Sequence, residues 1–128
     1  MANKNNKNTI LIVDDDTNLR TILFDKLTLD GFNVDSAHNG KEGLEKALAT
    51  HPDLIILDVM LPVMNGWEML RKLRLDDWGK NAKVTMLTVL EDADAIAQAM
   101  EGGSFNYLVK TNEGIADIVD NVKNTLEV

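Results

Sequence analysis

Cysteine is absent from the 128 residues, which excludes disulfides and thiolate metal sites. The absence fits a cytoplasmic protein, and that location is expected. Basic residues are in the minority: 13 Lys and Arg stand against 21 Asp and Glu, a formal net charge of −8. The basic residues are scattered, not gathered into a stripe, so the domain alone is not expected to bind nucleic acid. The same acidity disfavours an anionic membrane surface. No apolar run is long enough to span a bilayer, and Met1 to Asn8 lack the apolar core of a signal peptide. Residues 1–8 therefore read as a flexible tail. Phosphate-binding glycine loops of the nucleotide-hydrolase kind, internal repeats, linkers and low-complexity tracts are also missing.

What is there begins with three acids in a row. Asp14, Asp15 and Asp16 follow directly on the apolar run Thr9–Val13. That run reads as a buried strand. Carboxylates packed at the end of a buried strand repel one another, and a bound cation would explain them. The grammar recurs where Leu54-Ile55-Ile56-Leu57 runs into Asp58.

Apolar runs alternate with helix-period segments along the chain. After the strand Thr9–Val13, Asp16 stands where a helix N-cap belongs, a role that suits it better than metal ligation. Leu19, Ile22, Leu23 and Leu27 then line one helical face, and Asp30-Gly31 ends the helix. Phe32–Ala37 alternates apolar and polar residues like a strand near a sheet edge. Gly40–Thr50 forms a helix with Leu44, Ala47 and Leu48 inward, broken at His51-Pro52. Leu54–Leu57 is uniformly apolar, as a parallel strand covered on both faces should be. A loop with Pro62 and Gly66 leads to a helix with Met69, Leu70 and Leu73 inward. Strands over Lys83–Thr88 and Phe105–Val109 flank a helix at Ala93–Glu101. A last helix carries Ile115, Ile118, Val119, Val122 and Leu126 on one face and runs almost to the end of the chain, so no effector domain is expected if the chain is complete. Five βα units predict one α/β domain over residues 9–128, a parallel sheet with helices on both faces.

Ligands of open parallel sheets bind beyond the carboxyl ends of the strands. Asp14 and Asp15, Asp58, Thr88 and Lys110 all lie at such ends. Three acids, a hydroxyl and one lysine on one rim suit phosphoryl transfer. The acids attract a hard cation such as Mg2+, and Asp58 can then act as an oxygen nucleophile. The cation and the ammonium group offset charge on the phosphoryl oxygens.

With these residues in order, the chain resembles the receiver domains of two-component response regulators. The resemblance extends from about Thr9 to Leu126. It rests on Ile-Leu-Ile-Val-Asp14-Asp15-Asp16, Leu-Ile-Ile-Leu-Asp58-Val-Met-Leu-Pro62 with Asn65-Gly66 following, Met86-Leu87-Thr88, and Tyr107-Leu108-Val109-Lys110. It implies a five-stranded flavodoxin-like fold of strand order 2-1-3-4-5 with five helices. It implies that Asp58 is the phosphoacceptor, and that Asp14 and Asp15 hold Mg2+ together with Asp58 and the backbone carbonyl of Met60. Thr88 and Tyr107 would be switch residues and Lys110 the phosphate-binding lysine. The implied donor is a phosphohistidine on a histidine kinase or phosphotransfer protein. The implied output is a changed surface for a downstream protein, on a monomer or a phosphorylation-dependent dimer. Such a domain catalyses its own phosphorylation without being a turnover enzyme.

Some residues depart from the family pattern. Thr111 stands where receivers usually carry proline after the lysine, so a trans peptide is expected, with the next loop and the start of the last helix displaced from the family pattern. Val89 replaces a smaller residue beside Thr88. Met60 and Leu90 are apolar where family members tune hydrolysis of the acyl phosphate, so slow self-dephosphorylation is expected.

Other readings compete. A haloacid-dehalogenase-like phosphatase also uses a strand-end aspartate and Mg2+, but its motif needs Thr or Val where Asn18 stands. An interaction module that is never phosphorylated would not need the full acidic set. Tyr107 could be simple packing and Thr88 an ordinary strand residue. His38 and His51 read as loop histidines, Trp67 and Trp78 as packing residues around the third helix, and the methionines as core gap-fillers.

Overall fold

A computed structural model describes residues 8–88, 106–109 and 114–126, with Thr88 and 106–109 as strand backbone. The chain runs β1 (Thr9–Val13), α1 (Thr17–Leu29), β2 (Asn33–Ala37), α2 (Gly40–Thr50), β3 (Leu54–Asp58), α3 (Gly66–Leu73), a 3-10 turn (Gly79–Asn81), β4 (Val84–Thr88), β5 (Asn106–Val109) and α4 (Ile115–Leu126). The expected helix at Ala93–Glu101 and residues 1–7 of the expected tail 1–8 lie outside the described residues. The five strands form one sheet in the order β2-β1-β3-β4-β5, and every neighbouring pair is parallel.

Side chains alternate between two covered faces, so the central strands β1 and β3 are nearly continuous apolar runs. Ile10, Ile12, Leu54, Ile56 and Leu87 pack on one face against Leu23 and Leu27 of α1 and Ile118, Val119 and Val122 of α4. Leu11, Val13, Ile55, Leu57, Val84 and Met86 pack on the other against Ala47 of α2 and Met69, Leu70 and Leu73 of α3. Every residue of β3 is buried, while edge strand β2 alternates outward as its sequence implies. Thr85 donates its hydroxyl to Asn121 of α4 at 3.2 Å, a polar tie between the sheet and that helix.

Three sequence expectations need correction. Ile22 is 50% exposed. The inward stripe of α1 follows Leu19, Leu23 and Leu27, and Ile22 stands beside it. Leu48 is 36% exposed, because the buried residues of α2 are Gly40, Gly43 and Ala47. That helix lies so close to the sheet that a Cβ on Gly43 would sit 2.8 Å from Val13. Gly66 is not in the loop; it opens α3.

Candidate functional site

The strand order reverses at β1, between β2 and β3, and the site lies at the carboxyl ends of β1 and β3. Val13 of β1 is in register with Leu57 of β3. Continuing that register by one residue brings Asp14 beside Asp58. The repeated grammar of apolar run followed by acid is thus a register statement: two equivalent rungs each end in a carboxylate. Asp14 is 0% exposed and Asp58 3%, while Asp15 is open to solvent. One carboxylate oxygen from each of the three lies within 4.8 Å of the others.

Hydrogen bonds fix the turn that carries the acidic pair. The Asp16 N–H donates to Asp14 Oδ1 at 2.9 Å. The Asp16 carboxylate turns the other way, accepting from the N–H groups of Asn18 (3.0 Å) and Leu19 (3.2 Å) as the N-cap of α1. The third acid therefore heads a helix. The Asp14 N–H donates to Ala37 O at 3.1 Å, and Arg20 Nη1 donates to the Asp14 carbonyl at 2.7 Å. Arg20 belongs to no motif or apolar stripe in the sequence.

The β3–α3 loop builds the other wall. The Met60 N–H makes a long 3.4 Å contact to Asp58 Oδ1. The Gly66 N–H donates to Val59 O at 2.9 Å, and a Cβ on Gly66 would fall 2.2 Å from the Asp58 carbonyl oxygen. Only glycine lets α3 begin this close to the strand end. Asn65 caps α3 by accepting from the Glu68 N–H. Met64 N–H donates to Pro62 O at 2.7 Å, with Val63 at φ 68° between them. That is a γ-turn in a conformation costly for a β-branched residue. An open cleft of about 470 Å3 runs along Asp15, Val59, Met60, Leu61, Pro62, Asn65 and Trp67. Met60 is 63% exposed over it, so this methionine is a surface residue and not the core gap-filler expected.

Clustered anionic oxygens, two of the three carboxyls buried, form a donor set for a hard divalent cation such as Mg2+, which favours carboxylates and retains several waters.

Residues 10–123 match the response regulator receiver domain family. The chain belongs to that family. This receiver is 40% identical over 101 residues to the response regulator ArlR of Staphylococcus aureus, covering 79% of this chain and 45% of that protein. It thus spans about half the length of the curated relatives it matches. The chemotaxis protein CheY4 of Vibrio cholerae superposes with a TM-score of 0.86 at 28% identity, covering 93% of this chain and 98% of that one. A CheX–CheY–BeF3–Mg2+ complex from Borrelia burgdorferi superposes with a TM-score of 0.83 at 28% identity, covering 92% and 88%.

Of the remaining candidate residues of the receiver, Thr88 ends β4, which neighbours β3, and Tyr107 is paired with Met86 in β5. Lys110 lies outside the described residues, as do Val89, Leu90 and Thr111. The two histidines have defined surroundings. His38 Nδ1 lies 2.8 Å from Glu42. His51 closes α2 in a left-handed conformation and stacks on Trp78, ring centres 4.3 Å apart, at the end of the sheet away from the acids. Trp67 and Trp78 pack against the core beside α3, as expected. No helix among the described residues is long and apolar enough to cross a membrane.

Proposed function

We propose that this receiver is a phosphorylation-controlled switch in which Asp58 accepts a phosphoryl group from a phosphohistidine on a histidine kinase or phosphotransfer protein. The observation that carries the reading is the convergence of Asp14, Asp15 and Asp58, with oxygens within 4.8 Å, at the strand switch point. Asp14, Asp15, Asp58 and the Met60 carbonyl hold Mg2+, which when bound offsets negative charge on the transferring group. An Asp58 oxygen forms the new O–P bond as the P–N bond of the donor breaks. The departing imidazole keeps the electron pair and takes up a proton. Lys110 pairs with a phosphoryl oxygen, and the Thr88 hydroxyl donates to another. Tyr107 changes rotamer with Thr88, and the altered surface is read by a downstream protein. The domain acts in the cytoplasm, as a monomer or a phosphorylation-dependent dimer, without nucleic acid or membrane as its own ligand. It turns over no external substrate beyond its own phosphorylation and slow dephosphorylation.

Incubation with Mg2+ and a small acyl phosphate or phosphoramidate tests this reading. The expected product is one covalent phosphate per chain, absent from Asp58→Asn. Release of many phosphates per chain would favour a phosphatase. No covalent phosphate, even from a phosphohistidine donor, would favour a passive interaction module.

A further inference from the structure

We infer that Arg20 is a positioning residue for the cation site, acting through the main chain between Asp14 and Asp15. The inference rests on the cation-site reading above. Asp14 has no exposed surface, and its carbonyl lies beyond Val13, the last residue of β1 paired with β2 and β3. A buried carbonyl beyond the strand ladder needs another donor. Arg20 supplies it, with Nη1 at 2.7 Å. The arginine is itself anchored, its backbone N–H donating to Asp16 O at 2.9 Å in the first turn of α1.

The Asp14–Asp15 peptide is thereby held from both sides. The Asp16 N–H grips the Asp14 carboxylate, and the Arg20 guanidinium grips the Asp14 carbonyl. The orientation of this peptide sets the direction in which the exposed Asp15 carboxylate projects. Arg20 makes no ion pair among the described residues. Its Nη1 bond goes to a carbonyl, so it orders the turn without occupying a carboxylate oxygen that the cation needs. This is how groups behind metal ligands act, by fixing the ligands' direction.

Positioning and plain electrostatics predict opposite signs. A cation placed near three carboxylates opposes Mg2+ binding by repulsion, so removing its charge alone would tighten Mg2+. Removing a positioning donor weakens it. The experiment is calorimetric Mg2+ titration of wild type, Arg20→Met, Arg20→Lys, Asp15→Asn and the Arg20→Met/Asp15→Asn double variant, with the thermal midpoint of each recorded.

Arg20→Met is expected to weaken Mg2+ by about tenfold, the scale found for groups behind metal ligands. Arg20→Lys should stay within about threefold of wild type, because a single N–H to one carbonyl does not need the guanidinium fork. In the Asp15→Asn background, Arg20→Met should add less than about twofold, since both act on one ligand. Unchanged or tighter Mg2+ binding by Arg20→Met overturns the inference while leaving the cation site intact. A full additional loss in the Asp15→Asn background also overturns it. Failure of the wild type to bind Mg2+ removes both the inference and the reading beneath it.

Discussion

Replacing Gly66 with alanine probes how the fold holds the strand-end acid. The new methyl would sit 2.2 Å from the Asp58 carbonyl oxygen, 2.9 Å from Val59 Cα and 3.0 Å from the Asp58 carbonyl carbon. All three are backbone atoms, and Asp58 ends β3, whose partners are β1 and β4. The strand cannot yield, so the N-terminus of α3 must retreat. Overpacking of this kind costs about 1–3 kcal/mol. Retreat also stretches the 2.9 Å bond from the Gly66 N–H to Val59 O, worth about 1 kcal/mol. The sum is about 2–4 kcal/mol. For a chain of this length that lowers the thermal midpoint by about 8–15 °C. Urea unfolding monitored by circular dichroism measures the loss, with Gly114→Ala as the control, because among the described residues nothing lies within 4 Å of a Cβ there. The control should lose less than about 1 kcal/mol as a weakened helix cap. A loss below about 1 kcal/mol for Gly66→Ala would refute the claim that the start of α3 is clamped against the Asp58 backbone.

Asp16→Ala removes the cap of α1 and should cost about 1 kcal/mol of stability, while Mg2+ affinity measured by calorimetry changes less than about twofold; a large Mg2+ loss would make Asp16 a ligand. Glu42 is held below the usual glutamate range, first by the hydrogen bond from the His38 backbone N–H, against opposing burial, and then by the charges of Lys46 and His38. Because the folded-state pKa is lowered, this stabilisation is present above the unfolded value and is lost as pH falls through the folded one. Carbon-detected NMR titration should therefore show Glu42 ionising below the other exposed glutamates, and Glu42→Gln should flatten the acid limb of the stability curve. Met60, exposed beside Asp58 and apolar, cannot orient an attacking water. Phosphorylated wild type should accordingly decay several-fold more slowly than Met60→Asn/Leu90→Glu after donor removal, and an equal or shorter wild-type half-life would refute slow hydrolysis.

The strands and the acidic rim were legible because parallel strands buried on both faces leave continuous apolar runs, and because β1 and β3 end in register with an acid each. Asp16 was legible as a cap from its place before an apolar helical stripe. Residue size misled where close approach decides burial. The large Leu48 is outside on α2 because Gly40 and Gly43 are inside, and Gly66 belongs to α3 for the same reason. Ile22 shows that four apolar residues on a helix need not share one buried stripe. Contacts between a side chain and a distant backbone group, such as Arg20 on the Asp14 carbonyl, have no periodic signature. Nor has the Val63 γ-turn or the His51–Trp78 stack.

The most direct test of the central claim is to map the phosphate. Wild-type protein treated with a small phosphodonor, with Mg2+ and with the cation chelated, is digested and its peptides sequenced by mass spectrometry. The account predicts phosphate on Asp58 alone, formed with Mg2+ and sharply reduced without it. Phosphate on another residue, or labelling of Asp58 that ignores both Mg2+ and the loss of Asp15 in Asp15→Asn, would contradict it.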